Sequence, residues 1–145
     1  MWIEPGKPVS LADLERGVVI SSGNDASVAV AEHLADTESS FVDMMNQLAA
    51  ELGLNNTVYR NPHGLPHPEH RTTARDLATL SVALINGHPE HYKIYKEQSF
   101  TYNGIKQYNR NSLLRSDATV DGLKTGYTSE AGYGLVASAQ REDMR

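Results

Sequence analysis

Phe100-Thr101-Tyr102-Asn103-Gly104-Ile105-Lys106-Gln107-Tyr108 marks the point where the chemistry of the chain changes. Two short runs rich in β-branched and aromatic residues flank Asn-Gly, the dipeptide that best accepts positive φ at both centres of a tight turn. A β-hairpin is expected there. Upstream of it the apolar residues recur at helical spacing. Ser10 caps a first helix, with Asp13 in a capping-box-like position, and Leu11, Leu14, Val18 and Val19 form its apolar face. A second helix is read from about Asp25 to Ala35 and a third from about Ser40 to Leu52. In the third, Phe41, Met44, Met45, Leu48 and Leu52 share one face and Gly53 supplies the stop. That spacing predicts core packing for the Met44-Met45 pair. Residues 54–71 read as a loop rich in Asn, Pro, His and Gly. Thr72 or Thr73 caps a fourth helix lined by Leu77, Leu80 and Leu84 and ended by Asn86, Gly87 and Pro89. A short amphipathic segment surrounds residues 92–95. Downstream of the hairpin, residues 109–116 read as a turn or short helix. Val120 to Tyr127 and Tyr133 to Ala139 read as strands joined through residues 128–132. A helical body over about 10–95, then a hairpin and antiparallel sheet strands over about 98–140, gives an α+β (or α/β) class in one unit spanning 1–145.

The 145 residues carry 39% hydrophobic and 21% charged side chains, enough apolar material for a modest core and too much periodicity for full disorder. Eighteen acidic against thirteen basic residues leave a net charge of −5, which argues against nucleic acid as a partner. No apolar run approaches the roughly 18 residues of a membrane span, and no basic-plus-apolar leader is visible. Cysteine is absent, so disulfides, a thiol nucleophile and cysteine zinc sites are excluded.

Two tripeptides stand out by residue type. Ser22-Gly23-Asn24 sits between two helices, where a hydroxyl and an amide can face a cleft; a helix cap with a turn glycine is the ordinary structural reading. Lys124-Thr125-Gly126 lies inside a strand, where a glycine permits close approach of a ligand and the flanking Lys and Thr offer a cation and a hydroxyl to an anion. Its ordinary reading is an edge strand guarded by a lysine. His63, His67 and His70 have the residue type for zinc, but no metal or other cofactor is expected.

Taken together, the two tripeptides resemble the second and third motifs of the penicilloyl-serine enzymes. The resemblance extends through Glu4-Pro5-Gly6, LERGVVISSGNDA over 14–26, LGLNNT over 52–57, NPHGL over 61–65 and TARDL over 73–77. FTYNGIKQYNRNSLL over 100–114, DGLKTGYT over 121–128 and AGYGLVASA over 131–139 complete it. Nearly the whole chain is similar to the serine-type D-alanyl-D-alanine carboxypeptidases, the low-molecular-mass penicillin-binding proteins. The resemblance implies part of a DD-peptidase/β-lactamase-like domain, acting on peptidoglycan stem peptides that end in D-Ala-D-Ala and acylated by β-lactams. It implies catalytic roles for Ser22 as proton relay, Asn24 as amide ligand of substrate and lysine, and Lys124 as a source of positive potential. It also implies that Thr125 and Arg110 bind the substrate carboxylate, that Gly126 leaves room for a peptide laid along the strand, and that the Tyr127 N–H forms half of an oxyanion hole. Many relatives carry His at the position of Tyr127.

One motif of that family is missing. No serine of the chain has a lysine three residues later, so the S-x-x-K nucleophile and its base are not in 1–145. The chain is therefore expected to be an internal portion of a longer catalytic domain. Alone it is expected to be inactive, and to associate with itself or with a complementary N-terminal piece. The alternative is a stand-alone pseudoenzyme that binds peptidoglycan peptides or a protein partner. The resemblance places the parent in the bacterial periplasm or cell envelope.

Overall fold

Ser10 Oγ accepts the Asp13 N–H at 3.1 Å and donates to Asp13 Oδ2 at 2.7 Å, which starts α1, Leu11–Val19. In the computed structural model, which describes residues 1–145, five further α-helices, a 3-10 turn and four strands follow. They are α2 (Asn24–Ala35), α3 (Glu38–Glu51), α4 (Ala74–Gly87), α5 (Pro89–Tyr92) and the 3-10 turn Lys93–Lys96. Then come β1 (Ser99–Tyr102), β2 (Ile105–Tyr108), α6 (Leu113–Ser116), β3 (Val120–Thr128) and β4 (Gly132–Ala139). Thr37 and Thr73 cap α3 and α4 by accepting the N–H three residues on, as Ser10 does for α1. β1 and β2 form the expected hairpin, with Tyr102 opposite Ile105 and both turn residues at positive φ. β3 and β4 form a second antiparallel pair, with a bulge between Val120 and Gly122. The structure is mixed helix and antiparallel strand, an α+β arrangement.

The core explains where the site comes to lie. Met1, Leu14, Ile20, Ala26 and Phe100 bury one another, so α1, α2 and hairpin strand β1 meet on one apolar cluster. Gly17 lets Met1 lie flat on α1, since a Cβ there would collide with the Met1 sulfur. Arg16 adds a polar clamp on the same side: its Nε and Nη2 reach the two carboxylate oxygens of Glu97 at 3.0 Å each, just before β1.

The third helix does not turn the expected face inward. Val42 and Ala49 are its buried residues, whereas Met44 and Leu48 are each 51% exposed. Core packing holds only in part for the methionine pair: Met45 is half-buried and Met44 is not in the core. The reason is polar. Asn46, between Val42 and Ala49 on the inward stripe, donates to Tyr59 O at 3.0 Å and accepts the Tyr59 N–H at 2.8 Å. Satisfying that loop backbone fixes the rotation of the helix. The loop itself is closed by an antiparallel bridge between Val58 and Arg71 and by buried Asp76, whose carboxylate accepts from Asn56 N and Thr57 Oγ1.

Candidate active site

Ser22 lies in the short break between α1 and α2, with φ at +57°. That left-handed backbone is uncommon for a residue with a Cβ. The turn is held by Gly23 N–H to Gly17 O at 2.9 Å and by Ser21 Oγ to the same carbonyl at 2.8 Å. Gly23, not Ser22, is the N-cap residue of α2, and it makes no side-chain cap bond. The Ser22 hydroxyl is thereby left for other work, and Asn24 opens the helix beside it.

The partner of that hydroxyl comes from the far end of the chain. Lys124 Nζ donates to Ser22 Oγ at 2.8 Å and to Thr125 O at 2.9 Å, a contact across 102 residues. Burial pushes the Lys124 ammonium below its usual range, and the positive charge of Arg110 pushes it further the same way. Lys124 is set by β3, whose buried Val120, Gly122 and Leu123 anchor the strand on the body. Gly122 is needed for that seat, because a Cβ would collide with the Tyr92 hydroxyl, itself hydrogen-bonded to Ser138.

Arg110 is positioned by its two neighbours. Asn109 and Asn111 are 4% and 1% exposed. Asn109 Nδ2 donates to Glu97 O at 3.1 Å. Asn111 Nδ2 donates to Gly122 O at 3.1 Å, and Asn111 Oδ1 accepts from Leu113 N at 3.2 Å. These bonds lock the backbone on both sides and leave the exposed guanidinium free of any ion pair. Arg110, Ser22 and Asn24 line one cleft of about 310 Å³, to which Trp2, Gln107 and Tyr108 also contribute. Further along β3, Gly126 has open space on the side where a Cβ would stand. Tyr127 is 62% exposed, its ring tilted against Tyr133 at a centroid distance of 4.5 Å.

The structure therefore brings Ser22 and Lys124 into contact and sets Asn24 and Arg110 on the cleft that Ser22 lines. Thr125, Gly126 and Tyr127 continue the same strand from Lys124 but do not line that cleft. Sequence reasoning missed Gln107 and Tyr108, and it read Asn109 and Asn111 only as turn residues. Their spacing on either side of Arg110 was the available signal. The three loop histidines use their Nδ1 atoms to accept backbone N–H groups: Leu65 to His63, Glu69 to His67 and Arg60 to His70. No group of three or more His, Asp or Glu is placed to hold a metal ion.

The arrangement, a hydroxyl fed by a desolvated ammonium beside a cationic cleft, suits proton transfer next to a bound anion. Comparison with known proteins points the same way. The family described as Peptidase S11, D-alanyl-D-alanine carboxypeptidase, matches residues 1–145. D-alanyl-D-alanine carboxypeptidase DacC of Escherichia coli is 53% identical over 146 residues, covering all of this chain and 36% of that protein. The DacA carboxypeptidase of Haemophilus influenzae is 51% identical over 140 residues, covering 96% of this chain and 36% of its own length. Among solved structures, penicillin-binding protein 5 of Haemophilus influenzae superposes with a TM-score of 0.96 at 49% identity, over 99% of this chain and 42% of that one. Penicillin-binding protein D2 of Listeria monocytogenes, in its ampicillin-bound form, superposes at 0.83 with 34% identity, over 92% of this chain and 56% of its own. The chain thus spans about a third of the length of these curated relatives.

Proposed function

The chain belongs to the peptidase S11 family of D-alanyl-D-alanine carboxypeptidases, and on that premise we propose that it is the portion of such an enzyme that binds the peptide terminus and handles its protons. The whole domain would cleave the terminal D-alanine from peptidoglycan stem peptides in the cell envelope and would be acylated by β-lactams. The observation that carries this reading is the 2.8 Å bond from Lys124 Nζ to Ser22 Oγ at the edge of the cleft.

In the proposed reaction a serine of an S-x-x-K segment outside 1–145 attacks the carbonyl between the two D-alanines. The peptide C–N bond breaks, an acyl-serine ester forms, and D-alanine leaves as the free amine after taking a proton. Water then hydrolyses the ester. Ser22 suits the proton delivery. Its oxygen accepts from Lys124, so its own hydrogen is available to the leaving nitrogen, and a proton from the ammonium replaces it. The desolvated Lys124 gives up that proton more readily than a lysine in water. Arg110 and Lys124 together draw the substrate carboxylate, with Thr125 as a further donor, and Asn24 holds a backbone carbonyl. The open face at Gly126 admits the peptide alongside β3, and the Tyr127 N–H serves the developing oxyanion.

The test is to complete the domain with the S-x-x-K segment of the Escherichia coli relative and assay D-alanine release. The completed wild type is expected to be active. Lys124→Ala and Ser22→Ala are each expected to lower the rate by roughly 10²–10⁴. The 145-residue chain alone, incubated with benzylpenicillin, is expected to show no mass increase. A stoichiometric adduct that disappears in Ser22→Ala would sink this assignment of roles. A second reading, peptide binding without hydrolysis, is favoured by the fact that Asn24, Arg110 and Lys124 all lie within this chain.

A further inference from the structure

We infer that Asp25 is a positioning residue of the site: its carboxylate fastens residues 1–3 onto the Ser22-Gly23-Asn24 turn and so keeps the Ser22 hydroxyl within reach of Lys124. The reaction this serves rests on the proposed function. Asp25 stands in the first turn of α2, directly after Asn24. An acid there is ordinarily a solvated charge that suits the helix start. This one is filled largely from outside the helix. Its Oδ1 accepts from Met1 N and from Ala26 N, each at 2.9 Å. Its Oδ2 accepts from Trp2 N at 2.5 Å and from Ile3 N at 3.0 Å. Three successive backbone nitrogens close on one carboxylate, as in an anion nest, and Trp2 has the left-handed φ of +69° that such a nest uses. Burial pushes the Asp25 carboxyl up, but the bonds from Met1, Ile3 and Ala26 outweigh it and hold the group below the usual carboxylate range. A residue ahead of Met1 would turn its amine into an amide N–H, and Trp2 and Ile3 donate either way.

The grip reaches Ser22 through Met1, which is 8% exposed. Met1 lies against both glycines of the clasp that shapes the turn. A Cβ on Gly17 would collide with the Met1 sulfur, and one on Gly23 would fall 3.1 Å from both Met1 N and Met1 Cβ. Gly17 O in turn receives the Gly23 N–H and the Ser21 hydroxyl. Ser22 sits inside that clasp with its left-handed backbone, and its own hydroxyl is engaged with Lys124. The strained backbone is therefore held by the clasp and by Met1 packed over it. If Asp25 releases residues 1–3, the clasp is uncovered and Ser22 can relax toward an ordinary backbone, carrying Oγ away from Lys124. The consequence falls on proton delivery rather than on ligand capture, because the backbone around Arg110 is held by Asn109 and Asn111 through bonds that do not involve residues 1–3.

The experiment pairs hydrogen exchange on the 145-residue chain with D-alanine release by the completed domain. Asp25→Asn keeps the shape of the side chain but turns an NH₂ toward N–H donors. In the chain, the Gly23 N–H is expected to exchange faster by about tenfold or more, while the amides of α3 keep their wild-type rates. In the completed domain, Asp25→Asn is expected to lower kcat by roughly 10–10²-fold and to change KM by less than about twofold. In a Ser22→Ala background it is expected to change kcat by less than about twofold, because Asp25 acts through Ser22. Asp25→Glu keeps the charge at the helix start but sets it one methylene too far out. It is expected to recover the melting temperature lost in Asp25→Asn without recovering kcat, and it gives the same readings in a chain whose helix start is intact. Unchanged exchange at Gly23, equal losses of kcat in both backgrounds, or a rise in KM alone would each overturn the inference. So would an Asp25→Glu variant that restores rate and stability together. Failure of the broader reading shows separately, as absence of D-alanine release from the completed wild-type domain, and exchange at Gly23 then decides the lock by itself.

Discussion

Ser22 and Lys124 each hold a conformation or a charge that the fold alone would avoid. Ser22 at φ +57° carries the cost of a left-handed residue with a Cβ, about 1–2 kcal/mol. Ser22→Gly and Ser22→Ala both remove the hydroxyl, but only the glycine relieves the backbone. Urea denaturation is therefore expected to find Ser22→Gly more stable than Ser22→Ala by about 1 kcal/mol, with both deficient in the proposed chemistry. Lys124 gives a prediction in pH. Its folded-state pKa lies below the ordinary 10.5. Below the lowered value, folded and unfolded chains are both protonated and the desolvation cost is fully present. Between that value and 10.5 the unfolded chain holds more protons, so stability rises with pH. Lys124→Met is expected to remove this alkaline rise and to be no less stable than the wild type at neutral pH. A denaturation series that rises equally in wild type and variant would contradict the assignment.

Among the elements, those governed by local rules were legible before the structure. Ser10 and Thr73 cap their helices because a hydroxyl there meets an orphan N–H, and Asn103-Gly104 makes its turn because both residues accept positive φ. The rotation of α3 was not legible. Phe41, Met44 and Leu48 form the better apolar stripe, yet Asn46 must meet the Tyr59 backbone, a partner thirteen residues away that helical periodicity does not record. The site divides in the same way. Ser22, Asn24, Lys124 and Arg110 were candidates from the family resemblance, and the structure joins Ser22 to Lys124 and sets Ser22, Asn24 and Arg110 on one cleft, whereas Gln107 was recognised only by the cleft it lines. The buried asparagines around Arg110 were also hidden, because polar residues go inside only where tertiary partners wait. Asn111 joins the β2–α6 connection to β3 through Gly122 O. Asn111→Ala strands that carbonyl and is expected to destabilise by about 1–3 kcal/mol. It should also weaken the peptide binding proposed at Arg110, whereas an unchanged affinity would separate Arg110 from its supports.

On the scale of the whole molecule, much apolar surface faces outward. Trp2, Leu34, Met44, Leu48, Val82 and Leu135 are all more than half exposed, and the only fully buried residue of α4 is Asp76. Both two-stranded sheets keep open edges. Sedimentation velocity is expected to show concentration-dependent association of the isolated chain, suppressed when an S-x-x-K-bearing segment is supplied. A concentration-independent monomer with a sharp cooperative melt would count against this. The bond between Lys124 and Ser22 then has a kinetic meaning. It closes a loop of about a hundred residues, and the entropy of that closure is met only once helices and strands have docked. Helices can form locally and early, whereas this contact is expected to form only after α1, α2 and β3 have docked, and to be lost when that docking loosens. A lesion anywhere along the intervening chain that loosens docking is therefore expected to lower the proposed ligand affinity before helix content falls.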